Sequence, residues 1–303
     1  MAIFSVTDAA FAGFRLLRER PRAILYWAGF QTAAALLFSF LMLGLSGSQK
    51  ANLQVLQNPD PAAPEAAVAA MLGLGPMFLL LLVFAVLVSA VLQTAAYRAF
   101  LRPQDDRWGY LRLGRDEARM AGLMALLGVL LVLFVLVLVF VLAMGVAVGN
   151  LLPQALHGLV NLLAFAGMFA AVAFVFVRFS LAAPSTFAEQ QLQLTRSWRM
   201  TRGHFWQLLG AYALMALALT MVVLLVVVIF GALMGALALL TGGDLGQVRA
   251  ALQGDAPALP LPMLLLNFAF SIFQLWLVAA ATAVQIGPSA EAYREIVALE
   301  EEA

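Results

Sequence analysis

The side chains best suited to binding chemistry lie in one polar segment, residues 178–210, between two very apolar stretches. Three arginines, Arg196, Arg199 and Arg202, recur there at helical spacing with no acidic residue among them. A cationic stripe beside tryptophans is typical of a helix on a membrane surface, where guanidinium groups bind lipid phosphates and indole rings lie among the headgroups. The predicted lipid- or anion-binding residues are Arg178, Arg196, Trp198, Arg199, Arg202, His204 and Trp206.

Three interpretations of this basic segment stay open. The arginines can merely fix the orientation of the chain and neutralise headgroups, which needs no specific site. They can bind a particular phospholipid or another phosphate-bearing ligand. They can also form a docking face for a membrane or cytoplasmic protein. An earlier basic loop is a poorer anion site, because Asp116 and Glu117 can pair there with Arg112, Arg115 or Arg119.

The sequence offers little for catalysis. It contains no cysteine and two histidines, His157 and His204, which excludes thiolate chemistry and cysteine-based metal sites. All 16 acidic residues lie outside the cores of six long apolar stretches, so paired acid and base groups are not expected within the membrane. We therefore expect no enzyme activity, no cofactor and no metal site. Nucleic-acid binding is not expected, since no large basic domain lies outside the apolar stretches.

The polar residues inside the apolar stretches are uncharged. Asn267, Ser271 and Gln274 stand out because their spacing places them on one helical face. Hydrogen bonding between helices is the favoured interpretation. The alternative is a polar cavity, which a transporter or lipid translocator would use. The absence of intramembrane charge argues against a proton-coupled pump.

Composition places these residues in a membrane protein. Hydrophobic residues make up 64% of the 303 residues and charged residues 11%, far from the balance of a water-soluble domain. We predict an all-α fold, a single polytopic helical bundle over residues 1–303. Two small-residue motifs, Gly145/Gly149 and Gly231/Gly235, predict close helix packing, within the bundle or between copies. The six predicted spans are Arg22–Leu45, Met71–Phe100, Met120–Val148, Leu156–Leu181, Phe205–Leu240 and Leu261–Ile286.

The basic residues predict the orientation of these spans. Fifteen of the 17 lie in the N-terminal segment, the second and fourth loops and the C-terminal tail. The other three loops hold only Lys50 and Arg249. Because basic loops stay in the cytoplasm, both termini are predicted to be cytoplasmic, in a bacterial inner membrane.

Two polar segments are predicted to be interfacial helices, at residues 4–20 and 185–203. In the first, Ser5 and Asp8 suggest an N-terminal cap and Pro21 ends the helix. In the second, Thr186 and Glu189 have capping-box spacing. Three segments have similar patterns and suggest a three-fold repeat of an interfacial helix plus two spans. They are FAGFRLLRERPRAILYWAGF, WGYLRLGRDEARMAGLMALLG and TRSWRMTRGHFWQLLGAYALM.

The stretch RFSLAAPSTFAEQ, followed by LTRSWRMTRGHFWQLLGAYALM, resembles a known bacterial family. It is similar to the polytopic membrane domain found beside some glycerophosphoryl diester phosphodiesterases, and to related uncharacterised membrane proteins. The resemblance implies a membrane module without the catalytic domain, because the metal-binding barrel of those enzymes has no counterpart in this sequence. The residues that carry it are Arg178, Pro184, Glu189, Ser197, Trp198, Thr201 and Gly203.

These features predict a non-enzymatic integral membrane module with an envelope or membrane-organising role. Its basic cytoplasmic face would bind anionic phospholipid or a partner protein. A transporter or lipid translocator with an uncharged polar path is the alternative. The sequence leaves the oligomeric state open.

Overall fold

The computed structural model describes residues 5–44, 47–58, 63–149, 154–240 and 261–302. Within these ranges every regular element is helical, and one tight turn spans Arg107–Tyr110. The predicted connections at residues 150–153 and 241–260 lie outside the described residues. The helices are α1 (Val6–Glu19), α2 (Pro21–Leu43), α3 (Gly47–Gln57), α4 (Pro64–Leu101), α5 (Arg115–Gly149), α6 (Gln154–Phe179), α7 (Ala182–Glu189), α8 (Leu194–Met200), α9 (Phe205–Leu240) and α10 (Leu261–Glu302).

Six of these helices, α2, α4, α5, α6, α9 and α10, are long and apolar enough to cross a membrane. Even the 23 residues of α2 extend about 35 Å, which exceeds the ~30 Å of a hydrocarbon core. In the most apolar part of α5 no residue is buried by protein, so its side chains need lipid as their solvent. The predicted all-α fold with six helices long and apolar enough to span a membrane is therefore confirmed for the described residues.

The two spans that extend farthest beyond their predicted limits are α4 and α10. Helix α4 begins at Pro64 instead of Met71, and α10 continues past Ile286 to Glu302. Beside Pro288, the hydroxyl of Ser289 donates to the Ile286 carbonyl at 2.9 Å. Membrane helices tolerate an internal proline where hydroxyl side chains bond to the nearby backbone. The apolar pattern thus identified the spans but not the polar turns that lengthen them.

Internal contacts divide the chain into two compact units. The first unit contains Met1–Gly29, Ala96–Tyr110 and Arg199–Ala303, and the second contains Phe30–Ala95 and Leu111–Trp198. One boundary falls within α8, between Trp198 and Arg199. The predicted binding segment is therefore shared between the two units.

In the first unit, α1 packs against α9 and α10. Ser5 caps α1 by accepting a hydrogen bond from the Asp8 backbone N–H, as predicted. The packed face consists of small residues together with Leu16, and a Cβ on Gly13 would collide with the backbone of Val284. The larger side chain of Phe11 is 43% exposed. Close backbone approach therefore decides which face of α1 is buried, and the placement of α1 at a membrane interface stays a prediction.

Helices α9 and α10 also meet further along the first unit. The rings of Phe230 and Phe270 stack with their centroids 3.5 Å apart. Met234 and Met263 are fully buried beside them. Gly231 lies nearby on α9, but a Cβ there or on Gly235 would meet no described atom within 4 Å. The predicted packing role of this glycine pair is therefore not seen, because α9 uses the larger side chains.

In the second unit, the other glycine pair does form a seam between α5 and α6. A Cβ on Gly149 would lie 3.3 Å from the Val160 side chain, and one on Gly145 3.8 Å from Ala164. The prediction of close packing within the molecule is correct for this pair.

The polar segment before α9 forms two short helices, α7 and α8, instead of one helix over 185–203. Gln190 adopts a left-handed conformation with φ 58° and ends α7. The predicted capping box is wrong: Thr186 lies inside α7, and its hydroxyl accepts from the backbone N–H of Gln193 at 3.2 Å. Glu189 is the last residue of α7 rather than part of a cap.

The segment before α5 forms no interfacial helix. Residues Arg107–Tyr110 form a single turn, in which Trp108, Gly109 and Tyr110 all have positive φ values of 53°, 62° and 68°. The other two segments of the predicted repeat contain helices before their spans, α1 before α2 and α8 before α9, whereas this one contains only a turn. A three-fold repeat of identical units therefore stays a prediction from the sequence.

Candidate functional site

The predicted basic site is divided between the two units. Arg178, Arg196 and Trp198 belong to the second unit. Arg199, Arg202, His204 and Trp206 belong to the first. We call these sets the inward half and the outward half, because their side chains differ in how far protein covers or engages them.

In the inward half, Arg178 lies between two aromatic rings. Its guanidinium carbon is 5.0 Å from the centroid of Phe174 and 5.2 Å from that of Trp198. Ser197 is buried and donates its hydroxyl to the Arg178 carbonyl at 2.8 Å. Cation–π contacts stabilise a guanidinium inside a protein. They join the end of α6 to α8 and engage Arg178 within the fold.

Arg196 is also engaged. Its guanidinium lies 2.7 Å from a carboxylate oxygen of Glu189, and both side chains are partly buried. The absence of acidic residues among the three arginines predicts no local acidic partner, and that prediction is wrong for Arg196. The left-handed residue Gln190 ends α7 and lets the chain reverse, which brings Glu189 to Arg196.

The outward half has a different environment. Arg199 and Arg202 are exposed, and neither forms an ion pair with any residue that the structure describes. Trp206 is 78% exposed in the first turn of α9, with the ring of Phe205 at 5.3 Å. His204 is half-buried, and its Nδ1 lies 3.5 Å from the Met200 carbonyl. Two cations and one indole are thus presented at the start of an apolar span.

The predicted intramembrane polar face does not line a cavity between helices. Ser271 and Gln274 are exposed, and Asn267 is half-buried. The Ser271 hydroxyl donates to the Asn267 carbonyl of its own helix at 2.9 Å. The seam between α9 and α10 is instead built from Phe270 and neighbouring apolar side chains on another face of the helix. The predicted polar face is therefore largely exposed and takes no part in the contact between α9 and α10.

The structure also contains a cleft that the sequence analysis missed, beside the first turn of α2. Its floor is the left-handed turn at Trp108, Gly109 and Tyr110. Two buried hydrogen bonds of 2.6 Å hold this turn: Trp27 Nε1 donates to the Gly109 carbonyl, and Arg98 Nη1 donates to the Tyr110 carbonyl. The turn needs glycine at position 109, because φ is positive and a Cβ would lie 2.7 Å from Tyr26 Cβ.

The cleft has a volume of about 380 Å³ and a partly charged lining. Arg20 is positioned by a hydrogen bond to the Pro103 carbonyl at 3.1 Å and by the Tyr110 ring at 5.5 Å. Glu19, Arg22 and Asp106 also line the cleft. They are exposed and form no ion pair within the described part of the chain.

An adjacent cleft of about 320 Å³ differs in its charge pairing. Glu291 lies there in the polar part of α10 and is almost fully buried. It forms ion pairs with Arg294 at 2.7 Å and Arg15 at 3.6 Å, and Arg15 also contacts Asp8 at 3.7 Å. These charges satisfy one another, so they stabilise the packing of α1 on α10. Among the described residues, no group of three or more His, Asp and Glu side chains could hold a metal ion.

One local pattern in the sequence does indicate the first cleft. Two aromatic residues flank Gly109 directly after a run of charged residues, as at a turn on a membrane surface. The alternating charge of the same loop predicts local pairing of its acidic and basic residues instead. Only the folded turn shows which charges stay separate.

Comparison with known proteins adds no assignment. No family model, no curated protein and no solved structure matches this chain.

Proposed function

We propose that this multi-pass membrane protein is a non-enzymatic module that binds anionic phospholipid at its cytoplasmic face. The observation that carries the proposal is the outward half: Arg199 and Arg202 are exposed without an ion pair among the described residues, beside the exposed ring of Trp206. These residues immediately precede or begin the apolar helix α9. The start of an apolar span lies at the level of the lipid headgroups, so these side chains can reach lipid phosphates.

The contribution of Arg199 and Arg202 to lipid affinity can be estimated. A basic side chain near an anionic leaflet contributes about 1 kcal/mol of membrane attraction. Arg199 and Arg202 together would contribute about 2 kcal/mol, which corresponds to roughly a 30-fold change in lipid affinity. Trp206 supplies an amphipathic ring that prefers the headgroup level. Arg178 and Arg196 contribute less, because binding a phosphate would compete with their contacts in the protein.

The cytoplasmic placement follows from the distribution of charge along the chain. Fifteen of 17 basic residues lie in alternate polar segments, as the positive-inside rule requires. This supports an inner-membrane protein of a bacterium with both termini in the cytoplasm. The resemblance to phosphodiesterase-associated membrane domains supports a membrane-organising role without catalysis.

Native mass spectrometry with added phosphatidylglycerol tests the proposal. The double variant Arg199→Gln, Arg202→Gln should lose roughly 30-fold in affinity for this lipid. The matched control is Lys50→Gln, Arg249→Gln, which removes the same charge from the predicted opposite side and should retain wild-type affinity. Equal lipid affinity of the wild type and the first double variant would refute the proposal.

A partner protein at the same surface and lipid translocation are the competing functions. Co-purification of a stoichiometric protein that depends on Arg199 and Arg202, with no lipid preference, would favour the partner. Saturable movement of lipid or solute across reconstituted vesicles would show that the protein is more than a binding module. We expect neither result.

A further inference from the structure

The cleft beside the first turn of α2 has the size and position of a headgroup site. Its volume of about 380 Å³ falls within the range of small-molecule pockets, roughly 300–1,000 Å³. Its residues come from the end of α1, the start of α2, and Asp106 with the Arg107–Tyr110 turn that follows it, all in the first unit. Because α2 enters its apolar stretch directly after Arg22, the cleft lies at the level of lipid headgroups.

The charges of this cleft are balanced but separate. Glu19 and Asp106 are acidic, Arg20 and Arg22 are basic, and none forms an ion pair within the described part of the chain. In the adjacent cleft, by contrast, Glu291 pairs with two arginines. Opposite charges that share a cleft without pairing can each bind a group of opposite sign on a ligand. A zwitterion satisfies such a lining, whereas a purely anionic ligand would approach two carboxylates.

Two aromatic rings complete the lining. Tyr26 and Trp108 meet edge to face with their centroids 6.4 Å apart, and Trp108 is 75% exposed. A bulky residue with positive φ is uncommon and costly, so the hydrogen bonds from Trp27 and Arg98 are needed to keep this turn. The turn therefore holds the backbone of Trp108 and presents its indole at the mouth of the cleft, where the ring face can receive a cationic group.

We propose that this cleft binds the phosphoethanolamine headgroup of a membrane phospholipid. Arg22, which no described residue engages, binds the phosphate, and Arg20 adds positive charge from its place against the Tyr110 ring. Glu19 and Asp106 accept hydrogen bonds from the primary ammonium group. A primary ammonium has three N–H donors for these carboxylates, whereas the quaternary ammonium of phosphatidylcholine has none. The ligand class and the residues are distinct from those of the Arg199 and Arg202 surface.

Competition between lipids in native mass spectrometry tests this site. Phosphatidylethanolamine should bind the wild-type protein at least about tenfold more tightly than phosphatidylcholine, since charge-assisted hydrogen bonds distinguish them. The variant Glu19→Gln, Asp106→Asn should lose this preference without any loss of affinity for phosphatidylglycerol, because it removes only acidic groups. Soluble O-phosphoethanolamine is added in a separate arm. Its binding at the cleft would identify the free zwitterion as a ligand, whereas binding of the lipid alone would identify the membrane source.

The matched control is Asp60→Asn, Glu65→Gln, which neutralises one aspartate that precedes α4 in the sequence and one glutamate in the first turn of α4, and should keep the preference. A second variant, Gly109→Ala, changes the floor of the cleft without changing its charge, and should also lose the preference if the thermal unfolding temperature shows that it folds. Equal binding of the two zwitterionic lipids to the wild type would overturn the proposal. So would an unchanged preference in Glu19→Gln, Asp106→Asn.

Discussion

The inward and outward halves of the basic segment both contain two arginines and a tryptophan, but they differ in how the protein contacts those side chains. In the inward half, Arg178 contacts two rings and Arg196 pairs with Glu189. In the outward half, Arg199 and Arg202 are exposed with no ion pair to a described residue. The comparison teaches that an arginine in a basic stripe is a ligand site only if the fold has not already engaged it. The two halves should therefore respond differently to mutation: the inward half in stability, the outward half in lipid binding.

The largest difference is expected between the two tryptophans. Trp198→Ala removes the ring that contacts Arg178, Phe174 and Phe179, so the free energy of unfolding should fall by about 3 kcal/mol. Trp206→Ala changes an exposed ring and should alter this free energy by less than about 0.5 kcal/mol. Unfolding in detergent micelles measures both, and equal losses would remove the distinction between the halves.

Ionic strength provides a second comparison. Lipid attraction by exposed charges is screened when the Debye length falls from ~10 Å at 0.1 M salt to ~3 Å at 1 M. The affinity of the wild type for phosphatidylglycerol should therefore fall with salt, and most of this dependence should vanish in Arg199→Gln, Arg202→Gln. Arg196→Gln is the control and should keep the wild-type dependence. A salt dependence that disappears with Arg196 instead would assign the binding to the inward half.

A smaller effect is expected at the buried hydroxyl of the inward half. Ser197→Ala removes the hydrogen bond to the Arg178 carbonyl and should cost about 1 kcal/mol of unfolding free energy. Ser271→Ala removes an exposed hydroxyl that bonds to its own helix, so its effect should be close to zero. Denaturant titration of both variants checks the difference. A greater loss at Ser271 would contradict the structure.

The smallest effect concerns the ion pair of Arg196 with Glu189. A double-mutant cycle with Arg196→Gln and Glu189→Gln should give a coupling free energy of about 0.5 kcal/mol, because the pair is partly solvated. Arg115 forms no ion pair with Glu189, and a parallel cycle with Arg115→Gln should show no coupling. Similar coupling in both cycles would mean that the contact is only a general charge effect.

Much of the fold could be predicted because a membrane span is a local property. About 20 apolar residues suffice to identify one, whatever the rest of the chain does. The cap at Ser5 and the helix boundary at Pro21 were likewise predictable, since they depend on adjacent residues. The division of residues 185–203 into α7 and α8 was not. It depends on a left-handed glutamine and on a hydrogen bond between residues seven positions apart.

The seam at Gly13 and the cleft at Gly109 were missed for a related reason. A glycine in a sequence fits a flexible loop, a helix seam or a left-handed turn equally well. Its role at Gly13 follows from the backbone of α10, and its role at Gly109 from the side chain of Tyr26. Both partners are distant in sequence, so no local pattern indicates them.

The sequence by itself determined that this protein needs lipid around its apolar helices, and it determined how charge is distributed along the chain. Its 64% hydrophobic content and six apolar stretches require lipid, and its arginines mark alternate polar segments. Only the tertiary structure decided which of those charges remain available. Arg196 is bound by Glu189 while Arg22 and Glu19 stay unpaired, although all are equally visible in the sequence. The physical reason is that solvation by lipid depends on local composition, whereas the pairing of two charges depends on a distance of a few ångströms that only the folded chain sets.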